Sequence, residues 1–258
     1  MTFLGLPKPA VIAHRGGRKY APDNTLAAFE IAVRQGVDAI ELDVQLCGSG
    51  EIVVIHDQTV DCTAQDKCRV KQTSLTALKE LDIGSRFDAA FQGERIPTLE
   101  EVFEVVGKKI KINIELKNFA SPFDDLPLKV AELVKHQNLI GQVFFSSFFP
   151  WVLTRAHRLV PEVPICLLLQ KGWAGGFLPR LVSSMIHSSA LHPEVTDVTH
   201  QYVERAHQRG VYVNAWTVND PDDMQRLMVD GVDGIISDDP VLALQMRSSI
   251  QKSNLSTG

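Results

Sequence analysis

AVIAHRGG (residues 10–17) begins a pattern that recurs along the chain. DAIELDV (residues 38–44), EIVVIHD (residues 51–57) and KINIELK (residues 111–117) are likewise short apolar runs that carry charged or imidazole side chains at or near their ends. Each run has the length and composition of a buried β-strand. In a parallel α/β barrel the carboxyl ends of the strands meet at one mouth, where active sites are built. The pattern therefore predicts that these polar groups converge.

Amphipathic helical stretches alternate with the strand candidates, for example at residues 24–35, 126–136 and 221–229. Repeated strand–helix alternation favours a parallel sheet covered by helices. At 258 residues, a single α/β domain spanning residues 1–258 and folded as a TIM (β/α)8 barrel is the leading prediction. The strand candidates are one too many for eight: 10–13, 38–43, 52–55, 111–115, 142–145, 164–168, 188–191, 211–215 and 233–236.

The segment between the runs at 38–43 and 52–55 is too short for a helical crossover. The two runs therefore either form a hairpin, or one of them lies outside the barrel. A hairpin centred on Gly48 and Ser49 would set His56 opposite Glu41. Both arrangements stay open.

Residues 58–97 are the one long break in the alternation. A structureless loop of this length is uncommon in a compact domain. The segment carries a helix signal at residues 74–81, where Thr73 or Ser74 can cap. We predict a small insertion after the third strand that stands over the barrel mouth.

Composition excludes several classes of protein. The net charge of −5 and the lack of a basic run give no support for bulk attraction to nucleic acid or to an anionic membrane. No window approaches about 18 uninterrupted apolar residues, and no signal-peptide pattern is seen, so we expect a cytoplasmic protein without a stable membrane anchor. The four cysteines show no CxxC spacing. They favour reduced thiols over a disulfide between Cys62 and Cys68.

Three carboxylates are candidate metal ligands. Side chains two apart on a strand share a face, so Glu41 and Asp43 point together, and Glu115 shares a face with Lys117. Three carboxylates at one mouth repel each other unless a cation joins them, and hard oxygen ligands select Mg²⁺ or Ca²⁺. The alternative is that Glu41 and Asp43 form buried salt bridges with lysine or arginine. The repeated pattern favours the metal.

Two histidines and two cations accompany the carboxylates. His14 and His56 each follow a strand candidate, and a pair of imidazoles is suited to exchanging protons near neutral pH. Each is alternatively a structural histidine. Arg15 and Lys117 are suited to binding a phosphate. Asn24 is either a helix cap or part of the site.

Two aromatic residues are candidates for the wall of the site. Trp216 ends the alternating run VYVNAW, and Phe148 follows Ser146 and Ser147. Each can border a small polar substrate or simply pack near the rim.

Taken together, HRGG, PDNTLAAFE, AIELDVQ, VVIHD, GERIPTLEEV, INIELK, NAWTVN and GVDGIISDDP resemble, in order, the glycerophosphodiester phosphodiesterase family. The resemblance runs from Ala10 to Pro240. It implies a TIM barrel of the PLC-like phosphodiesterase type that hydrolyses glycerophosphodiesters to sn-glycerol 3-phosphate and an alcohol. The family usually has Glu-Asn where this chain has Asp23 and Asn24.

The resemblance also implies roles for individual residues. One divalent cation, Mg²⁺ or Ca²⁺, would be bound by the three carboxylates of Glu41, Asp43 and Glu115. The histidines His14 and His56 would act as general acid and base. The side chains of Arg15 and Lys117 would contact the phosphate, and Trp216 would stack on the substrate. Neither the choice of cation nor the assignment of acid and base follows from the residues.

Three rival functions stay open at this point. The first is release of the head group from lysophospholipids, which would need an apolar channel supplied by the region from Trp173 to Ile186, including Phe177, Leu178, Leu181 and Val182. The second is a catalytically silent module that binds glycerophosphodiesters. The third is an unrelated barrel enzyme such as an aldolase, which is disfavoured because Lys117 lies among carboxylates that keep its pKa high. The alcohol, the attacking oxygen (water or a glycerol hydroxyl) and the oligomeric state are not predicted.

Overall fold

The computed structural model describes residues 3–62, 66–118, 123–174 and 176–256. Within these ranges eight parallel strands close into a barrel, because the first barrel strand pairs with both the second and the last. The predicted TIM barrel is therefore confirmed. In chain order the barrel strands are β1 (Ala10–Ala13), β2 (Ala39–Leu46), β6 (Lys111–Leu116), β7 (Val143–Ser147), β8 (Ile165–Leu169), β9 (Ala190–Pro193), β10 (Tyr212–Ala215) and β11 (Gly234–Ser237).

Helices surround the barrel and are set by local signals at their ends. Thr25 caps the first helix by accepting from the backbone N–H of Ala28, and Gly36 ends that helix with φ of 75°. Thr98 and Glu101 form a capping box on the third. The helices are α1 (Leu26–Gln35), α2 (Leu75–Lys79), α3 (Leu99–Val106), α4 (Leu126–His136), α5 (Pro150–Leu159), α6 (Phe177–Met185), α7 (His200–His207), α8 (Pro221–Asp230) and α9 (Pro240–Ser256). In the described part of the chain, none of them is both long and apolar enough to cross a bilayer.

The strands separate two cores. The larger lies between strands and helices, and it includes the outward-pointing alternate residues Ile40, Leu42 and Val44 of β2. A smaller cluster, including Phe3, Ile12, Phe144 and Ile236, fills the barrel interior. Burial of both strand faces explains why the barrel strands appear in the sequence as nearly continuous apolar runs.

The strand candidate in excess of eight, residues 52–55, lies outside the barrel. β3 (Ile52–Val54) pairs antiparallel with the end of β2, with Val44 opposite Val54 and Leu46 opposite Ile52. The two runs thus form the hairpin that was one of the alternatives, but the register considered for it, with His56 opposite Glu41, is wrong by one residue. The tight turn is centred on Ser49, since Cys47 donates its backbone N–H to the carbonyl of Glu51 at 3.0 Å. His56 instead lies beyond the end of β3.

Residues 58–97 contain a short hairpin and α2. The hairpin strands are β4 (Thr59–Asp61) and β5 (Lys67–Arg69). As predicted, Ser74 caps α2, its side chain accepting from Ala77 N–H. Val70 and Leu78 pack in a local apolar cluster with Val53 of β3, which fixes this segment to the barrel.

The prediction of reduced thiols is wrong for two of the four cysteines. Cys62 and Cys68 form a disulfide with their Cα atoms 5.7 Å apart. The β4–β5 pairing brings Asp61 opposite Lys67, and this places the two cysteines, one residue farther along the chain from each, within bonding range. Cys47 and Cys166 are free and buried.

Candidate active site

A tight turn at the end of β1 aims His14 and Arg15 into the barrel mouth. Three consecutive residues of this turn have positive φ: 51° at Arg15, 88° at Gly16 and 94° at Gly17. A Cβ on Gly16 would lie 2.7 Å from that of Ala28, so only glycine fits against α1. The turn is fixed to β2, because Arg15 donates its backbone N–H to Glu41 Oε2 at 2.9 Å.

The three predicted carboxylates meet. Glu41 and Asp43 project from β2, and Asp43 lies directly opposite Glu115 in the β2–β6 pairing. One oxygen from each carboxylate lies within 4.8 Å of those of the other two, and all three residues are buried. This cluster is called the carboxylate triad below.

Two positively charged side chains lie against the carboxylate triad. Arg15 Nε is 3.1 Å from Asp43 Oδ2, and Lys117 Nζ is 3.0 Å from Glu115 Oε1 and 3.5 Å from Asp43 Oδ1. The salt bridges considered as an alternative to a metal are thus also present. They are incomplete, because two cations face three carboxylates.

The imbalance changes the proton affinities of the carboxylate triad. Burial raises the pKa of Glu41 well above its usual range, and repulsion from Asp43 and Glu115 raises it further. Burial likewise raises the pKa of Glu115 to about 7, against the attraction of Lys117. At Asp43, burial is outweighed by Lys117 and Arg15, so its pKa falls below the ordinary value. Three buried carboxylates with one excess negative charge, offering only oxygen, fit a hard divalent cation.

Asn24 belongs to this cluster and does not cap α1. Its side chain donates to Asp43 Oδ2 at 2.9 Å, and its Oδ1 accepts the backbone N–H of Asp43 at 3.2 Å. The capping oxygen is that of Thr25. Asn24 therefore fixes the position of Asp43, while the neighbouring Asp23 accepts from Arg15 Nη1 at 3.1 Å.

Each predicted histidine is held by an aspartate. His14 Nδ1 lies 2.6 Å from Asp238 Oδ1, and His56 Nδ1 lies 2.7 Å from Asp57 Oδ1. Burial would raise the pKa of Asp238, but the hydrogen bond to His14 outweighs it and the pKa is lowered. An ionised carboxylate can only accept a hydrogen bond, so His14 Nδ1 carries the proton. Nε2 then carries the lone pair and can accept a proton. Burial lowers the pKa of His56, which favours its neutral form.

These groups line one cavity of about 540 Å³ at the barrel mouth. Phe148 and Trp216 border it with their ring centroids 5.6 Å apart in an edge-to-face arrangement, and Trp216 Nε1 donates to the backbone carbonyl of His192 at 2.7 Å. The predicted site residues that line it are His14, Arg15, Glu41, His56, Glu115, Lys117, Phe148 and Trp216, and Asp43 joins them through the carboxylate triad.

Comparisons with known proteins place the chain in a family. The family model for glycerophosphoryl diester phosphodiesterases matches residues 14–242. The chain belongs to this family. A glycerophosphodiester phosphodiesterase of Caldanaerobacter subterraneus subsp. tengcongensis is 42% identical over 234 residues, which cover 90% of this chain and 95% of that protein. Membership identifies the chain as a phosphodiesterase and confirms the resemblance found in the sequence.

Solved structures agree with the family match. A phosphodiesterase of Oleispira antarctica, solved in complex with the product sn-glycerol-3-phosphate, has a TM-score of 0.84 at 31% identity and covers 93% of this chain and 97% of its own. A glycerophosphodiester phosphodiesterase of Agrobacterium tumefaciens has a TM-score of 0.78 at 29% identity, covering 94% and 99%.

Sequence reasoning missed several polar residues of this family member. Asp238 was part of the quoted GVDGIISDDP motif but was given no role, and its position after the last barrel strand was the available signal. Asn113 and Ser146 also line the cavity, and within the described residues Asn113 Oδ1 and Ser146 Oγ are buried without a hydrogen-bond partner. Nothing in the sequence indicated that His192 lies near the site. It is fully buried beneath the site, and burial lowers its pKa to about 3.

Proposed function

We propose that this family member hydrolyses small-molecule glycerophosphodiesters to sn-glycerol 3-phosphate and an alcohol, using one divalent cation, Mg²⁺ or Ca²⁺, held by Glu41, Asp43 and Glu115. The observation that supports this most directly is the meeting of the carboxylate triad with two cations and two aspartate-held imidazoles around one cavity. When bound, the cation supplies positive charge that stabilises negative charge developing on the phosphoryl oxygens.

Arg15 and Lys117 bind the phosphate in this proposal. Burial alone would lower the pKa of Lys117, but the charges of Glu115 and Asp43 outweigh it and the pKa is raised. The same balance, with Asp43 and Glu41, raises the pKa of Arg15. Both side chains therefore stay protonated and are held in place by carboxylates, so they meet the phosphate with little reorganisation.

His14 and His56 carry the protons. One imidazole accepts the proton of the attacking oxygen as that oxygen bonds to phosphorus, and the other donates a proton to the alcohol oxygen as its bond to phosphorus breaks. When water attacks, sn-glycerol 3-phosphate forms directly. When the substrate's own glycerol hydroxyl attacks, a cyclic phosphate forms, and water then opens it to sn-glycerol 3-phosphate by the same exchange of protons. Asp238 and Asp57 orient the two rings.

Trp216 and Phe148 wall the cavity beside these groups. We propose that Trp216 contacts the substrate with its ring face, since its indole N–H is already held by the carbonyl of His192.

Product analysis tests the proposal. With glycerophosphocholine and added Mg²⁺ or Ca²⁺, the protein should release sn-glycerol 3-phosphate, measured by a coupled assay, and chelator should stop the release. His14→Ala and His56→Ala should each lower turnover about 10²-fold or more. His200→Ala, at an exposed histidine of α7, should not. Full activity in chelator would disprove the cation's role, and full activity of both histidine variants would disprove the acid–base pair.

A further inference from the structure

A second cavity, of about 320 Å³, opens beside the candidate active site at the ends of β7 and β8. The two cavities share Phe148 and Leu168 in their linings. The two cavities therefore adjoin at these two side chains. We call the second space the apolar lobe.

The apolar lobe differs from the active-site cavity in chemistry. None of the described residues that line it is ionisable. Among these residues, only Gln170 and the two tryptophans have polar side-chain atoms. A glycerol hydroxyl or a phosphate oxygen placed there would lose hydrogen bonds to water without replacing them, at a cost of several kcal/mol in an apolar environment. The glycerol 3-phosphate half of a substrate therefore stays with the charged residues. The part that can enter the lobe is the alcohol.

Two tryptophans stand at the rim of the apolar lobe. Trp151 is 42% exposed and Trp173 is 56% exposed, and an exposed apolar rim beside a cavity marks a place where a ligand binds. The turn that carries Trp173 is held in place, because Gly172 donates its backbone N–H to Asp197 Oδ2 at 2.7 Å. This part of the rim is therefore ordered without a bound ligand.

Val182 of α6 closes the apolar lobe from the helix side. Val182 is one of the four residues that the sequence offers for an apolar channel, and it lines the lobe. Leu181 is exposed and does not line the lobe. The side chains of Phe177 and Leu178, named with them, lie outside the described part of the structure.

We propose that the apolar lobe receives an aliphatic chain carried by the alcohol of the substrate, so that the enzyme prefers glycerophosphodiesters of alkyl alcohols. The inference rests on the proposed function and adds its specificity. Leu168 and Phe148 guide the chain from the phosphate into the lobe, and the two tryptophans cover its far end.

A chain-length series tests the inference. The ratio kcat/KM is measured for glycerophosphomethanol, glycerophosphobutanol and glycerophosphooctanol with the coupled assay for sn-glycerol 3-phosphate. Burial of one methylene corresponds to a factor of about four at full burial. Since the lobe is partly open, we expect at least about a tenfold rise from methyl to butyl.

Two variants and a control locate the effect. Val182→Phe fills the lobe and should flatten the chain-length series, and Trp173→Ala removes part of the rim and should reduce the octyl-to-methyl ratio several-fold. Val229→Phe places the same substitution on α8 at a residue that is 69% exposed, and it should keep the wild-type ratio. Thermal melts confirm folding, and Trp173→Ala provides the test if Val182→Phe does not fold.

The outcomes separate the inference from the proposed function. A flat series, or a higher kcat/KM for glycerophosphocholine than for the alkyl substrates, would overturn the lobe's role and leave the hydrolysis standing. The same holds if a chain raises kcat/KM only when it is esterified to the glycerol, as in 1-octanoylglycerophosphomethanol. Absence of sn-glycerol 3-phosphate from every substrate would overturn both.

Discussion

Replacing Glu115 by Gln should make the metal-free protein more stable and abolish its response to a divalent cation. In the folded protein, burial and the charge of Asp43 together raise the pKa of Glu115 to about 7, and the attraction of Lys117 compensates only in part. The ionised carboxylate is therefore less favourable in the fold than in the unfolded chain. Glutamine keeps the shape and removes the charge.

The size of the effect follows from the pKa. Ionising Glu115 in the fold, where its pKa is about 7 against an ordinary value of 4.5, costs about 3 kcal/mol at pH 8. For a chain of 258 residues, this free energy corresponds to about 5 °C in Tm. A raised carboxyl pKa lowers stability as pH rises, so the difference between variant and wild type should be small below pH 4.5 and grow until about pH 7.

The cation should remove most of the difference between the two proteins. At a concentration about 100 times Kd, a cation that binds only the folded state adds about 2.7 kcal/mol, or about 5 °C here. Wild type should gain this stabilisation with Mg²⁺ or Ca²⁺, and Glu115→Gln should gain little. Scanning calorimetry at pH 5 and pH 8, in chelator and with each cation, measures both effects.

Glu104→Gln serves as the matched control, since Glu104 is an exposed glutamate on α3. It should leave both Tm values unchanged. A Glu115→Gln variant that melts below wild type in chelator at pH 8, or that retains the full gain on adding cation, would refute the electrostatic argument.

Three further substitutions test the supporting residues. Asp238→Asn should lower kcat about 10²-fold or more and alter the pH profile, with KM little changed, because His14 Nδ1 loses its ionised acceptor. Asn24→Ala should weaken cation binding about 10- to 100-fold in a calorimetric titration, since Asp43 loses its partner. Thr98→Ala removes the capping box of α3 and should lower stability by about 1 kcal/mol in a denaturant melt, while kcat stays at the wild-type value.

The parts of the fold that the sequence predicted are those set by local pattern. The barrel followed from alternating apolar runs and amphipathic stretches, and α4 was bounded correctly at residues 126–136. Boundaries set by tertiary contacts were missed. The sixth barrel strand, β9, is Ala190–Pro193 and not residues 188–191, because the Ser188 hydroxyl accepts from the backbone N–H of Leu167 at 3.1 Å and so stands outside the ladder.

Pairings that depend on turn geometry or long-range contacts were also beyond the sequence. The β2–β3 turn differs by one residue from the predicted hairpin, and the disulfide between Cys62 and Cys68 depends on the β4–β5 pairing. Asp238 lies 224 positions from His14, to which it is hydrogen-bonded. The carboxylate triad was accessible because a period of two, read on β2 and β6 separately, already fixes which side chains face the barrel interior.

The net charge of the site determines whether it repels or attracts a phosphodiester. The carboxylate triad with Arg15 and Lys117 carries one net negative charge when every group is ionised. Such a site repels a phosphodiester, which also carries one negative charge. A divalent cation changes the sum to one positive charge, so the same residues then attract the substrate. The buried pair Arg15 and Lys117 is thus insufficient alone, and the excess carboxylate that destabilises the metal-free fold is the feature that would bind the cation.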